Sequence, residues 1–142
     1  MADAKKLQRI HRVRTLQLGL VRADEMRAHE KHANERHLAG RIQALADAVA
    51  PVTSQTGGAA MLAQAHFRER LHQSATAAQA RVEMAEQHTL HAAEATRSAK
   101  RDQTAVEKLL ERARIAGLAK AMRALEEAPP TGRRTPAGDD AA

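Results

Sequence analysis

The sequence predicts an all-α fold: a long antiparallel two-helix coiled-coil hairpin with a disordered C-terminal tail. Three observations support this prediction. Residues 61–127 contain no proline and a single glycine, Gly117. Small or aliphatic residues recur in this stretch about every 3.5 positions, which is the repeat of a coiled coil. A segment containing proline and glycine separates it from an earlier helix-forming stretch. An apolar stripe stabilises a fold only when it is buried away from water, so the second helix needs a partner helix.

The second helix is predicted over about residues 59–127, and 3-4 spacing defines its seam. The members of that seam are Met61, Gln64, Arg68, Leu71, Ala75, Ala78, Val82, Ala85, Thr89, Ala92, Thr96, Ala99, Gln103, Val106, Leu110, Ala113 and Gly117. Alanine dominates the middle, so each position buries little area but allows the helix axes to approach closely. At ~1.5 Å per residue the helix would be roughly 100 Å long.

The first helix is predicted over about residues 4–50, with a less regular pattern. Leu7, Ile10, Val13, Leu16, Leu20 and Val21 give its beginning an apolar side. Counting back from Val49 in 4-3 steps predicts a seam of Leu45, Ile42, Leu38, Glu35, Lys31, Ala28, Asp24, Val21, Gln17, Arg14, Ile10 and Leu7. The charged middle of this seam indicates either a register shift or a loose, kinked helix near Gly19 or Gly40.

A loop over about residues 51–58 is predicted from Pro51 and the pair Gly57 and Gly58. A loop of this length suits a connection between two neighbouring antiparallel helices, so residues 1–127 are predicted to form one hairpin. An intermolecular coiled coil would satisfy the same pattern. Since the second helix is the longer one, residues 106–127 are expected to overhang. Residues 128–142 contain three of the four prolines and are predicted to be a disordered tail.

The composition excludes several classes of protein. The chain has 33 alanines and one aromatic residue, Phe67, so a compact core of large side chains is not expected. It has no cysteine, which excludes disulfides and thiolate metal sites. No stretch approaches the ~18 apolar residues of a membrane span, so a cytoplasmic protein is predicted.

Basic residues cluster in two blocks. Residues 1–14 have a net charge of +4 and residues 97–123 a net charge of +5, within a total of +6. An antiparallel hairpin would bring both blocks to one end and so create a basic terminal end. The helix macrodipole would explain cations at the end of the second helix, but it opposes cations at the start of the first. The candidate partner-binding residues at this end are Lys5, Lys6, Arg9, Arg12, Arg14, Arg112 and Arg114.

Metal binding and catalysis are not predicted. Pairs of histidines recur at helical spacing, and a hairpin centred on the loop would bring His37 near His72, but zinc needs further converging ligands. Paired carboxylates such as Glu83 and Glu86 lie on regular helices without a cleft, so we expect neither an enzyme nor a cofactor.

Two segments carry a resemblance to a known family. The sequence Leu-Gln-Arg-Ile-His-Arg-Val-Arg-Thr-Leu at residues 7–16 resembles the opening of the flagellar export protein FliJ family. The sequence Ala-Lys-Arg-Asp-Gln-Thr-Ala-Val-Glu-Lys-Leu-Leu-Glu-Arg at residues 99–112 resembles a later segment of that family. The family's antiparallel coiled coil would cover the chain to about Glu127. Residues 114–120 depart from the pattern, since they contain Gly117 and no aromatic residue.

The resemblance implies a non-catalytic stalk or adaptor of the flagellar type III protein export apparatus, which serves flagellum biogenesis and motility. Similar proteins insert the end that bears both termini into the hexameric ring of the export ATPase, which they regulate. They also contact the export gate, a membrane protein, and export chaperones are further partners. The chain would then be cytoplasmic and peripherally associated with the inner face of the cell membrane. No specific nucleic acid is implied.

The resemblance also places the gate contact early in the second helix, at Phe67 and Leu71. The alternative is that Phe67 packs on Leu38, Ile42 or Leu45 as part of the hairpin. For the whole chain, the alternatives are a basic coiled-coil module that binds nucleic acid or serves as a generic scaffold, and a small helical chaperone. Salt-sensitive DNA binding would favour the nucleic-acid alternative.

Overall fold

The computed structural model describes residues 2–49 and 57–130 of the 142-residue chain. Helix α1 spans Ala2–Ala48 and helix α2 spans Gly58–Glu127. The two helices pack against each other, and the described residues contain no strand. The prediction of an all-α helical hairpin is therefore confirmed. Residues 51–56 of the predicted loop and residues 131–142 of the predicted tail lie outside the described residues. Gly58, predicted to belong to the loop, is the first residue of α2.

The register of the hairpin follows from contacts between the side chains and backbone of the two helices. These contacts are His11 with Glu107, Arg14 with Asp102, Thr15 with Gln103, Val21 with Thr96, Ala28 with Thr89, and Glu35 with Arg81. In each pair the two residue numbers add up to between 116 and 118. The helices are therefore antiparallel and keep one register along their shared length.

The predicted seam of α2 is confirmed over most of its length. Every predicted member from Leu71 to Gly117 is buried or half-buried. The first three predicted members, Met61, Gln64 and Arg68, are exposed instead. They are exposed because α1 ends at Ala48, which lies level with about residue 69, so the start of α2 has no partner helix beside it.

The seam of α1 differs from the predicted one at every second position. The line of Leu7, Arg14, Val21, Ala28, Glu35, Ile42 and Val49 is buried or half-buried, as predicted. The alternate line of the seam was predicted wrongly. The residues that are buried or half-buried there are Ala4, His11, Leu18, Glu25, His32, Ala39 and Ala46. The residues predicted for this line, which are exposed instead, are Ile10, Gln17, Asp24, Lys31, Leu38 and Leu45. Near the distal end the reason is size, since Ala39 and Ala46 allow closer approach to the alanines of α2 than Leu38 and Leu45 would.

The α1 helix is continuous through both glycines at which a kink was considered. Gly19 and Gly40 lie inside the single element Ala2–Ala48, and neither has positive φ. Two charged residues of the predicted seam, Asp24 and Lys31, are exposed and lie off the actual seam. Glu35 stays half-buried on the seam, and its carboxylate lies 3.4 Å from Arg81 of α2.

The α2 helix projects beyond α1 at both ends. At the distal end residues 58–67 extend past the end of α1 by about ten residues, or roughly 15 Å. At the terminal end residues 116–127 extend past Ala2, which lies level with about residue 115. The predicted overhang of residues 106–127 is therefore correct for residues 116–127 but wrong for residues 106–115, which lie beside α1, and Val106 is buried. The prediction assigned all the extra length of α2 to the terminal end, whereas α2 extends past α1 at both ends.

Small side chains form the interface between the helices. Among the described residues the buried apolar ones are Leu18, Ala28, Ala78, Val82, Ala85, Ala92 and Val106. Two buried polar residues have partners. The Thr89 hydroxyl lies 2.9 Å from the Ala85 carbonyl oxygen, and the Gln103 amide donates to the Thr15 hydroxyl at 3.0 Å. The interface is thus narrow, with few large side chains contributing to stability.

Because so few branched side chains are buried, shortening one of them should have a measurable effect on stability. We expect Val82→Ala to lower the free energy of unfolding by about 1–2 kcal/mol, through lost apolar burial and a small cavity. Thermal unfolding followed by circular dichroism measures this. The matched control is Met84→Ala, because Met84 is 73% exposed two residues away and its truncation should change stability by less than about 0.5 kcal/mol. Equal losses in both variants would contradict the assigned seam.

Candidate partner-binding surfaces

The antiparallel register places the start of α1 beside the later part of α2. Residues 2–14 lie level with about residues 103–115, so both basic blocks occupy the same end of the hairpin. Besides Arg114, the exposed cations that were predicted to bind a partner at this end are Lys5, Lys6, Arg9, Arg12 and Arg112. None of these five takes part in the ion pairs formed between described residues. Their charge is available to an acidic partner.

Arg14 was predicted to bind a partner, but the structure places it on the seam. Its guanidinium lies 3.3 Å from a carboxylate oxygen of Asp102 and also donates to Gln17 at 3.3 Å. One turn earlier, His11 lies 3.3 Å from Glu107. Arg14 therefore joins the two helices, and its charge is largely matched within the hairpin.

Arg114 is exposed but has a partner on its own helix. Its guanidinium donates two hydrogen bonds to the Glu111 carboxylate, at 2.6 and 3.1 Å. The side-chain hydrogen bond, reinforced by charge attraction, lowers the pKa of Glu111 and raises the pKa of Arg114. Since both groups are fully exposed, the pair adds little to stability. The cation remains on the surface, but it is tied to an anion.

Aliphatic side chains accompany the cations at the basic terminal end. Ile10, Val13, Leu16 and Leu20 are between 44% and 66% exposed. Of these four residues, only Ile10 was predicted to lie on the seam of α1, and that prediction is wrong because Ile10 is exposed. One signal in the sequence points to this result. Leu20 and Val21 are adjacent and therefore about 100° apart on a helix, so a narrow seam cannot include both. This end combines positive charge with apolar contact area.

The distal end carries the residues predicted to contact the export gate. Phe67 is 53% exposed, and Leu71 is half-buried on the seam. Leu38 and Leu45, on which Phe67 was alternatively expected to pack, are themselves exposed. Phe67 is thus not part of a closed core, whereas Leu71 contributes mainly to helix pairing. Exposed aromatic side chains are common contact residues in protein interfaces.

His37 and His72, which were expected to lie close together, are separated along the hairpin. His72 lies level with about residue 45, which is about eight residues, or roughly 12 Å along the helix, from His37. The expected proximity of these two side chains is therefore wrong. Within residues 2–49 and 57–130, no group of three or more His, Asp or Glu side chains is arranged to hold a metal ion.

No helix in these ranges is both long and apolar enough to cross a membrane.

Comparisons with known proteins give no match: no protein family, no curated protein and no solved structure is detectably similar to the chain. The resemblance to the FliJ family therefore stays a prediction. Residues 7–16 and 99–112 carry the resemblance, and the antiparallel register places much of the two segments side by side. Both lie at or near the basic terminal end.

Proposed function

We propose that this chain is a non-catalytic stalk of the flagellar type III protein export apparatus. Its basic terminal end would insert into the ring of the export ATPase, and the start of α2 around Phe67 would contact the export gate. The observation that carries this proposal is the convergence of two basic blocks at one end of a long helical hairpin. The two segments that resemble the FliJ family support it, since both lie toward that end.

The distribution of charge suits a partner that surrounds the rod. Exposed cations lie on both helices: Lys5, Arg9 and Arg12 on α1 and Arg112 on α2. An acidic inner surface of a ring would meet positive charge from several directions, which favours fast association and a defined orientation. The exposed aliphatic residues of α1 at the same end would supply apolar contacts. Through its partners the chain would lie at the inner face of the cell membrane.

Binding to the purified export ATPase tests the proposal directly. We expect the full-length chain to co-elute with the ATPase, to give a complex whose mass by light scattering contains the hexamer, and to stimulate ATP hydrolysis. The same preparation is titrated with duplex DNA at several salt concentrations. No complex with the ATPase at low ionic strength, together with DNA binding that weakens steeply with salt, would contradict the proposal and favour the nucleic-acid alternative.

A further inference from the structure

The terminal overhang of α2 carries an apolar stripe that the hairpin does not cover. Ile115, Leu118, Met122 and Leu125 follow 3-4-3 spacing and are between 54% and 77% exposed. At about 100° per residue this stripe lies roughly 130° around the helix from the seam residues Ala113 and Gly117. Since α1 lies on the seam side, it cannot cover the stripe. Coiled-coil spacing of this kind indicates a place for another helix.

The stripe is self-complementary when two copies run antiparallel. A two-fold axis near residue 120 would place Ile115 of one copy opposite Leu125 of the other. The same axis places Leu118 opposite Met122, so all four side chains find an apolar partner. The stripe thus matches its own reversed image, and an isologous contact between two copies has this property.

Charge favours the same antiparallel register. Arg112 and Glu126 occupy the same heptad position beside the stripe, two heptads apart. In the antiparallel pair, Arg112 of each copy lies next to Glu126 of the other, which gives two ion pairs. Neither residue takes part in the ion pairs between described residues of one chain. A parallel pairing would place Glu126 opposite Ala121, and it would place Arg112 opposite Glu107, which already lies 3.3 Å from His11 of its own chain.

We propose that this stripe binds a second copy of the chain, as a short antiparallel coiled coil joining two hairpins end to end. Four aliphatic side chains per copy form a contact smaller than the ~800 Å² per partner of stable interfaces. The dimer is therefore weak and depends on concentration. This self-association does not depend on the proposed role in export, but it uses the same end of the hairpin, so a chain in the dimer could not also insert that end into the ATPase ring.

Light scattering or sedimentation of the full-length chain over a concentration series tests the stripe. The wild type should shift from monomer toward dimer as concentration rises. The double variant Leu118→Lys and Met122→Lys should stay monomeric, with a dissociation constant raised at least roughly tenfold, because each copy would bury two charges in the contact. Leu90→Lys is the matched control, since Leu90 is 56% exposed on the same helix and lies outside the stripe. It should dimerise like the wild type. A monomeric wild type, or equal weakening by the control, would overturn the proposal.

Charge exchange tests the register. Arg112→Glu alone and Glu126→Arg alone should each dimerise less than the wild type, because each places like charges opposite one another. Mixed in equal amounts, the two variants should associate again, since the heterodimer restores both ion pairs. Circular dichroism should show equal helicity in all samples. A mixture that associates no better than its components would overturn the antiparallel register.

Cross-linking tests the orientation, because the chain contains no native cysteine. Ile115→Cys and Leu125→Cys should form few disulfide-linked dimers alone and many when mixed and oxidised. Efficient cross-linking of each variant with itself would indicate a parallel pair and would overturn the proposal.

Discussion

Reversing the charge of Arg9 and Arg12 should abolish binding to the export ATPase and leave the hairpin folded. Both side chains are exposed on α1, and neither takes part in the ion pairs between described residues. Opposite an acidic surface, glutamates at these positions turn attraction into repulsion. Like charges placed together cost several kcal/mol, so we expect affinity to fall by more than roughly a hundredfold. Co-elution with the ATPase and stimulation of ATP hydrolysis are the measurements.

The matched control reverses Arg68 and Arg70, which are exposed at the distal end. Both double variants change the net charge from +6 to +2, so only the place of the charge differs. The distal variant should bind the ATPase like the wild type. If both variants lose binding equally, net charge rather than the basic terminal end governs the interaction. If neither loses binding, the assigned end is wrong.

The charge-reversal variant of Arg9 and Arg12 does not include Arg14, because Arg14 forms an ion pair between the two helices. A glutamate at position 14 would face Asp102, whose carboxylate lies 3.3 Å from the native guanidinium. It would replace an interhelical attraction by repulsion on a half-buried seam, and loss of ATPase binding would then have two explanations. Arg9 and Arg12 avoid this problem because they point away from α2.

The seam of α2 could be predicted well from the sequence because only one face of this helix fits the pattern of a seam. The seam positions from Ala75 to Ala99 are all alanine or threonine except Val82, and no other face of the helix is as uniformly small. In α1 two seams share the line through Leu7 and Val21 and differ only in the alternate line. Large aliphatics such as Leu38 favoured the wrong alternative, because the closeness of the helices depends on α2 as well and cannot be read from α1 alone.

The candidate site was predictable in its location but not in its detail. Antiparallel pairing follows from the loop, and it brings the two basic blocks to one end whatever the register. The ion pair of Arg14 with Asp102 depends on the register between the helices, and that of Arg114 with Glu111 depends on side-chain rotamers within α2; composition determines neither. How far α2 extends past α1 at each end likewise depends on which residues of α2 lie beside the two ends of α1. Packing over the whole length of the hairpin determines this register.

At the other end of the rod, Phe67→Ala should weaken binding to the export gate about ten- to thirtyfold, with little change in thermal stability. Phe67 is the single aromatic residue of the chain and is 53% exposed, so its ring contributes little to the hairpin. Truncating an aromatic contact residue at an interface commonly costs about 2 kcal/mol of binding free energy, which corresponds to this range. Gate binding by the purified chain, motility of cells carrying the variant and thermal unfolding are the three measurements.

Two further variants separate contact from folding. Leu62→Ala is the control for exposed apolar area, because Leu62 is also exposed in this part of α2 but lies about 140° around the helix from Phe67. It should retain gate binding. Leu71→Ala should lower thermal stability, because Leu71 is half-buried on the seam beside α1. If Phe67→Ala instead lowers stability as much as Leu71→Ala while its folded fraction still binds the gate, the ring belongs to the hairpin core. Retained binding and retained stability together would leave Phe67 without a role in the gate contact.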